Sequence, residues 1–213
     1  MKVELIDKMG TDLSVVNAAR VSYAKEKEEF EESDERLIRY LAEHKHWSPF
    51  AHTFLSFRIK APVFVARQLV KHQVGLVWNE ESRRYITYDP EIYNIRKWRK
   101  KPDSSKQGSG EQILISTELN LEVNEHLQQG LSLYNRLLLE NVAPEQARAV
   151  LPQSMYTNWI WSGTLYAFAR VCELRLDEHS QKETQDIARQ LDIHCQYAFP
   201  ISWKYLTKQK DEV

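Results

Sequence analysis

Hydrophobic and polar positions trace most of the secondary structure. Residues 52–62 alternate strictly, with Leu55, Phe57 and Ile59 on one face and His52, Phe54, Ser56 and Arg58 on the other. This period of two predicts a half-buried strand. Residues 2–6 alternate in the same way and predict a shorter strand, and the run 153–162 reads as a buried one. Helical spacing appears at 33–46, where Leu37, Ile38 and Leu41 make one face, Ser33 is the expected N-cap, and Asp34 and Glu35 suit the first turn. Pro62 suits the first turn of a helix continuing to Val74. A long helix is expected over 113–140, and Pro144 opens a short one. The last third is helical, with Ser180 to Glu183 reading as the capping box of the last long helix. The stretch 99–112 has no apolar residue and two of the six glycines, so we expect a mobile excursion over about 95–112. Strands early and helices late imply an α+β layering.

Composition narrows this only slightly. At 213 residues the chain fits one domain over 1–213, able to bury roughly 70% of the surface its unfolded form exposes. A net charge of -1 gives no support for bulk attraction to nucleic acid or membrane, and no apolar run reaches the length of a membrane span. Cys172 and Cys195 are too few for a disulfide framework, which points to a reducing, cytoplasmic compartment; both read as small core fillers. An aromatic content of 11% reads first as an aromatic core. His44, His46 and His52 fit no tight metal-ligand spacing, so no metal is expected.

The chemically dense stretch is 71–85. If it is extended, Glu80, Ser82 and Arg84 share one face, and a hydroxyl beside a guanidinium suits a phosphate; a solvated strand edge fits equally well. Arg148 lies at a helix end, where a lone arginine commonly serves as a dipole partner. Arg175 emerges from apolar surroundings, so it needs either an acceptor-rich ligand or an ion pair with Glu173 or Asp177. The basic stretch 95–101, with Trp98 among five cations, supports an alternative reading as a single-strand nucleic-acid binder.

Six segments in series give the chain its resemblance. They are 18–23 (AARVSY), 48–68 (SPFAHTFLSFRIKAPVFVARQ), 79–85 (NEESRRY), 106–110 (KQGSG), 147–157 (ARAVLPQSMYT) and 174–183 (LRLDEHSQKE). In order and spacing they resemble the flavin-dependent thymidylate synthases. The resemblance implies a mixed or antiparallel sheet flanked by long helices, a homotetramer with shared active sites, and reductive methylation of dUMP to dTMP. It also implies 5,10-methylenetetrahydrofolate as carbon donor, reduced FAD as hydride source, NADPH as reductant, and no cysteine nucleophile. By resemblance, dUMP is gripped by Gln68, Lys71, Glu80, Glu81, Ser82, Arg83 and Arg84, with Arg148 arriving from a neighbouring subunit. Arg175 matches the catalytic arginine beside the uracil ring. FAD is expected near Ser22, His52, Lys71, His72, Gln73 and Glu80.

This chain departs from that pattern in places. Where the family shows Arg-His-Arg, it has Lys71, His72 and Gln73, and the bridge to Asn79 is one residue longer and includes Trp78. Thr164, Tyr166 and Arg170 stand where the family has flavin-contacting asparagine and arginine; Arg170 is a candidate to restore the charge lost at Gln73. A divergent member, viral-type or otherwise atypical, would show such departures; a viral-type one would act in a host cytoplasm. A flavoprotein that has lost methyl transfer is a further alternative.

Overall fold

The chain, seen in a computed structural model that describes residues 1–102 and 107–207, is built on one four-stranded sheet. Strand β1 spans Lys2–Met9, helix α1 Asp12–Arg20, helix α2 Glu32–Glu43, strand β2 Phe54–Pro62, helix α3 Val63–Leu69 and strand β3 Leu76–Glu80. A two-stranded ribbon follows, β4 Trp98–Arg99 and β5 Gln112–Ile113, then the long helix α4 Thr117–Leu139 and the short α5 Pro144–Ala147. Strand β6 spans Tyr156–Thr164 and leads into helices α6 Leu165–Arg175, α7 Lys182–Ala198 and α8 Pro200–Thr207. Sheet order is β1-β2-β6-β3, with every pair antiparallel. The α+β expectation is met, and the sheet is antiparallel throughout the described residues.

The alternation in β2 does what its pattern implies. Leu55, Phe57, Ile59 and Ala61 are buried and stand opposite Gly163, Trp161, Trp159 and Thr157 of β6. Helices α3, α6 and α7 pack on that face through Leu69, Phe168 and Leu191. The aromatic content is largely structural. Trp78 stacks on Trp159 with ring centroids 4.4 Å apart, and Phe168 meets Phe57 and Trp161 edge-on. A smaller apolar cluster joins Val15 and Val16 of α1 to Ile38 and Leu41 of α2 and to Phe50. Glycine is required at one crossing: a Cβ at Gly163 would stand 2.4 Å from the Gly75 carbonyl oxygen, and that oxygen accepts the Thr164 N–H at 3.0 Å.

Several local expectations are corrected. Helix α1 was not anticipated. The N-cap of α2 is Glu31, not Ser33; Asp34 closes the turn by accepting the Glu31 N–H at 2.9 Å, and the helix ends at Glu43 before Lys45 takes a φ of 57°. Pro62 is the N-cap of α3, not part of its first turn, and α3 stops at Leu69. Helix α7 starts at Lys182 after Gln181, and Ser180 does not cap it: its hydroxyl donates to the Leu174 carbonyl at 2.9 Å. Of the excursion expected over 95–112, residues 103–106 lie outside the described residues; the flanks pair as β4 and β5, which the loop reading did not foresee. Lys106 of the 106–110 motif is among those outside.

Candidate active site

The dense stretch 71–85 changes conformation twice. After α3, Lys71 to Gly75 turn the chain back, with Gly75 at a φ of 77°, and β3 then runs against β6 as far as Glu80. The chain does not stay extended beyond that point. Ser82 accepts the N–H of Tyr85 at 2.9 Å, so residues 82–85 form a turn, and Glu80, Ser82 and Arg84 do not share a strand face. The turn sorts its two guanidiniums. Arg83 is buried, donates to the Tyr88 carbonyl and lies over the Tyr88 ring, whereas Arg84 is exposed. Ser82 Oγ accepts the Arg84 N–H at 3.3 Å, which leaves its own O–H free to donate.

Both acids of the stretch are tied to β6. Glu80 accepts from the Thr157 hydroxyl at 2.7 Å, and Glu81 accepts from Asn158 at 2.8 Å and from the Tyr88 hydroxyl at 3.1 Å. They hold the turn against the sheet through these bonds.

Arg175, at the end of α6, donates from Nε to His72 Nε2 at 2.8 Å. His72 must therefore be neutral, with its proton on Nδ1. Burial, together with the nearby Arg175 and Arg170 guanidiniums, pushes its pKa down to about 4. Arg175 and Gln68 line one cleft of about 470 Å³ with Arg99, Ser109 and Gln181. A larger cavity of about 790 Å³, lined by Tyr93, Arg96, Lys97 and Lys182, shares only Arg99 with it and contains none of the residues expected to hold substrate.

The remaining expected residues are dispersed. Lys71 and Gln73 are exposed beside His72, and Lys71 makes no ion pair among the described residues. Ser22 lies in the single turn Val21–Tyr23 after α1, and His52 ends the turn Ser48–His52, which packs on α1. Arg148 is exposed, donates to the Glu145 carbonyl at 3.3 Å and is not brought to residues 80–84 within this protomer. Both cysteine thiols are buried and pushed well above their ordinary value by that burial. No group of three or more metal-ligating side chains occurs among the described residues.

Comparison with known proteins decides the family. The family described as "Thymidylate synthase complementing protein" matches residues 4–201. A flavin-dependent thymidylate synthase from Kosmotoga olearia is 40% identical over 190 residues, covering 87% of this chain and 81% of that one. The chain belongs to the flavin-dependent thymidylate synthase family. Another flavin-dependent thymidylate synthase, from Thermus thermophilus, is 37% identical over 94% of this chain and 73% of its own length. Among solved structures, the UMP/dUMP methylase PolB from Streptomyces cacaoi bound with 5-Br dUMP superposes with a TM-score of 0.81. It is 32% identical and covers 97% of this chain and 94% of that chain. No helix among the described residues is long and apolar enough to cross a membrane.

In this flavin-dependent thymidylate synthase family member, hydrogen bonds bring further residues to Gln68 that residue order alone does not assign to the site. Gln181, Glu183 and Thr184 stand directly behind Gln68, and Arg99 reaches them from the ribbon. In the sequence Glu183 reads as half of a capping box, and Arg99 as one cation of the basic stretch 95–101.

Proposed function

We infer that the chain methylates dUMP to dTMP reductively, with 5,10-methylenetetrahydrofolate as carbon donor and FAD as redox cofactor. Within a family that performs this reaction, the observation that carries the reading is the pairing of Arg175 with Gln68 in one cleft, with the Arg175 guanidinium steered by a neutral His72. A guanidinium beside a desolvated imide stabilises its anion, and that electron density enriches C5, the carbon that gains the one-carbon unit. Ser82 supplies a hydroxyl donor and Arg84 an exposed guanidinium for the phosphate. Arg83 and Glu81 hold the turn that presents them.

The residues around Lys71 suit a flavin nucleotide. Lys71 offers an unpaired cation for a pyrophosphate, His72 retains its Nδ1 donor, and Val74 and Val77 present exposed apolar surface. Ser22, His52, Gln73 and Glu80 complete the proposed set, and FAD bound there supplies the hydride. Arg170, whose charge reaches His72, takes the place of the cation absent at Gln73. NADPH is the proposed reductant. Arg148 completes the phosphate site from a neighbouring subunit of a homotetramer, each subunit a single domain over 1–213, working in the cytoplasm.

The nucleic-acid reading loses its two central residues. Arg99 is paired inward with Glu183, and the Trp98 indole donates to Asn120 at 3.3 Å. A second substrate merits a test, because the solved relative from Streptomyces cacaoi acts on both UMP and dUMP.

The test is anaerobic turnover of dUMP and of UMP, each tritiated at C5, with FAD, NADPH and methylenetetrahydrofolate. Tritium release with dTMP formation is expected, and Arg175→Ala should lower it by about 10²–10³-fold while the variant stays folded. Flavin binding and reduction without release would overturn methyl transfer in favour of a flavoprotein that has lost it. Release from UMP alone would reassign the substrate.

A further inference from the structure

Behind the Gln68 amide runs a hydrogen-bonded chain whose direction is set by a single charge. Arg99, a donor only, meets Glu183 with both carboxylate oxygens at 2.8 Å and donates from Nε to Ser109 at 2.7 Å. Glu183 is buried, with a relative exposure of 6%. Burial opposes its ionisation, but hydrogen bonds from Arg99 and Gln181 more than offset this and hold its carboxyl below the ordinary value. An ionised carboxylate only accepts, so Gln181 must turn its Nε2 toward it, at 2.9 Å. Gln181 Oε1 then faces Gln68 and accepts from Gln68 Nε2. The Gln68 carbonyl oxygen is left to accept the Thr184 hydroxyl at 3.2 Å. With one N–H and one lone pair used in this way, Gln68 keeps one donor and one acceptor for the cleft it shares with Arg175.

We propose that Glu183 is a positioning residue for dUMP: its carboxylate, locked by Arg99, fixes through Gln181 the direction in which the Gln68 amide presents its donor and acceptor to the substrate. The proposal rests on the reading of Gln68 as a dUMP ligand. It gives a role to the 180–183 motif, which does not cap its helix, and to Arg99, which leaves the basic run to enter this chain. A neutral residue at 183 could both donate and accept. The two amides would then be free to reverse, presenting a donor where the substrate meets an acceptor.

The experiment measures dUMP affinity by isothermal titration on the FAD-loaded protein, with thermal unfolding and the split between KM and kcat recorded for each variant. Glu183→Gln preserves shape and removes the charge. It is expected to raise the dUMP dissociation constant and KM about tenfold, with kcat much less affected. Gln181→Ala, which removes the link between Glu183 and Gln68, and Arg99→Lys, which loosens the lock on Glu183, should act in the same direction. The deciding result is a double-mutant cycle: in a Gln68→Ala background, Glu183→Gln should have no further effect on dUMP affinity. Full additivity, or a melting temperature that falls while dUMP affinity stays within about twofold, would overturn the positioning role. Wild-type protein that fails to bind dUMP at all would instead sink the functional reading, and this inference with it.

Discussion

Two regions of this molecule follow different rules. In the β2–β6 pair, apolar volume sets the structure: Phe57 meets Trp161, Ile59 meets Trp159, and the facing hydroxyls of Ser56 and Ser162 bond at 2.8 Å on the opposite face. In residues 81–102, individual polar contacts set it. Arg83 reaches the Tyr88 carbonyl, Glu81 holds Asn158, and Arg99 holds Glu183. The first region is sensitive to changes in volume, as at Gly163, and the second to the loss of its paired charges, as at Arg99 and Glu183. The proposed ligand contacts fall in the second, where buried or half-buried polar side chains fix direction, whereas close packing fixes only position.

That contrast can be broken experimentally. The largest effect is expected from Phe57→Ala, which empties a fully buried site between two sheet partners and should cost about 4 kcal/mol in chemical denaturation. Gly163→Ala comes next, at about 3 kcal/mol, because its Cβ meets backbone that cannot move without parting β3 from β6. Unchanged stability in that variant would show that the crossing at Gly75 is loose. Arg84→Ala should reverse the balance, shifting unfolding by less than about 0.5 kcal/mol while weakening dUMP binding about tenfold. Parallel losses in both measurements would erase the distinction between the two regions.

The last effect is one of pH. His72 has a folded pKa of about 4 against an ordinary 6.5, so between these values the unfolded chain binds more protons than the native one. Stability should therefore fall as pH drops from 6.5 toward 4, and His72→Gln should flatten that window. Asp34 acts lower on the scale. Burial opposes its ionisation, but the Glu31 N–H and the Arg20 and Lys27 cations offset this and depress its pKa. Its contribution is present above the ordinary carboxylate range and is lost as pH falls below it. A melting profile with the same slope in wild type and His72→Gln would refute the first assignment.

How much the sequence disclosed follows the same division. The β2 alternation was legible because period two maps directly onto one buried face, and β6 followed from its aromatic run. Helix α1 was not, because its nine residues hold only a brief helical spacing, Leu13 with Val16 and Val15 with Ala19, too short a run to stand out. The turn at Ser82 was missed because Glu80, Ser82 and Arg84 have strand spacing; the burial of Arg83, which bends the chain, leaves no trace in residue order. The fate of Glu183 was equally hidden, because its partner Arg99 lies 84 residues away. The six segments of resemblance gave the family and hold the residues lining the cleft except Arg99, but not the hydrogen-bonded chain behind Gln68.

The stacked indoles of Trp78 and Trp159, with Trp161 edge-on to Trp78, have an optical consequence. Chromophores this close couple their transitions, so the docked β3 strand should carry a split circular-dichroism band that an undocked strand lacks. Because β3 leads directly into the turn at 82–85, the proposed phosphate site, the molecule has a label-free gauge of whether that turn is in place.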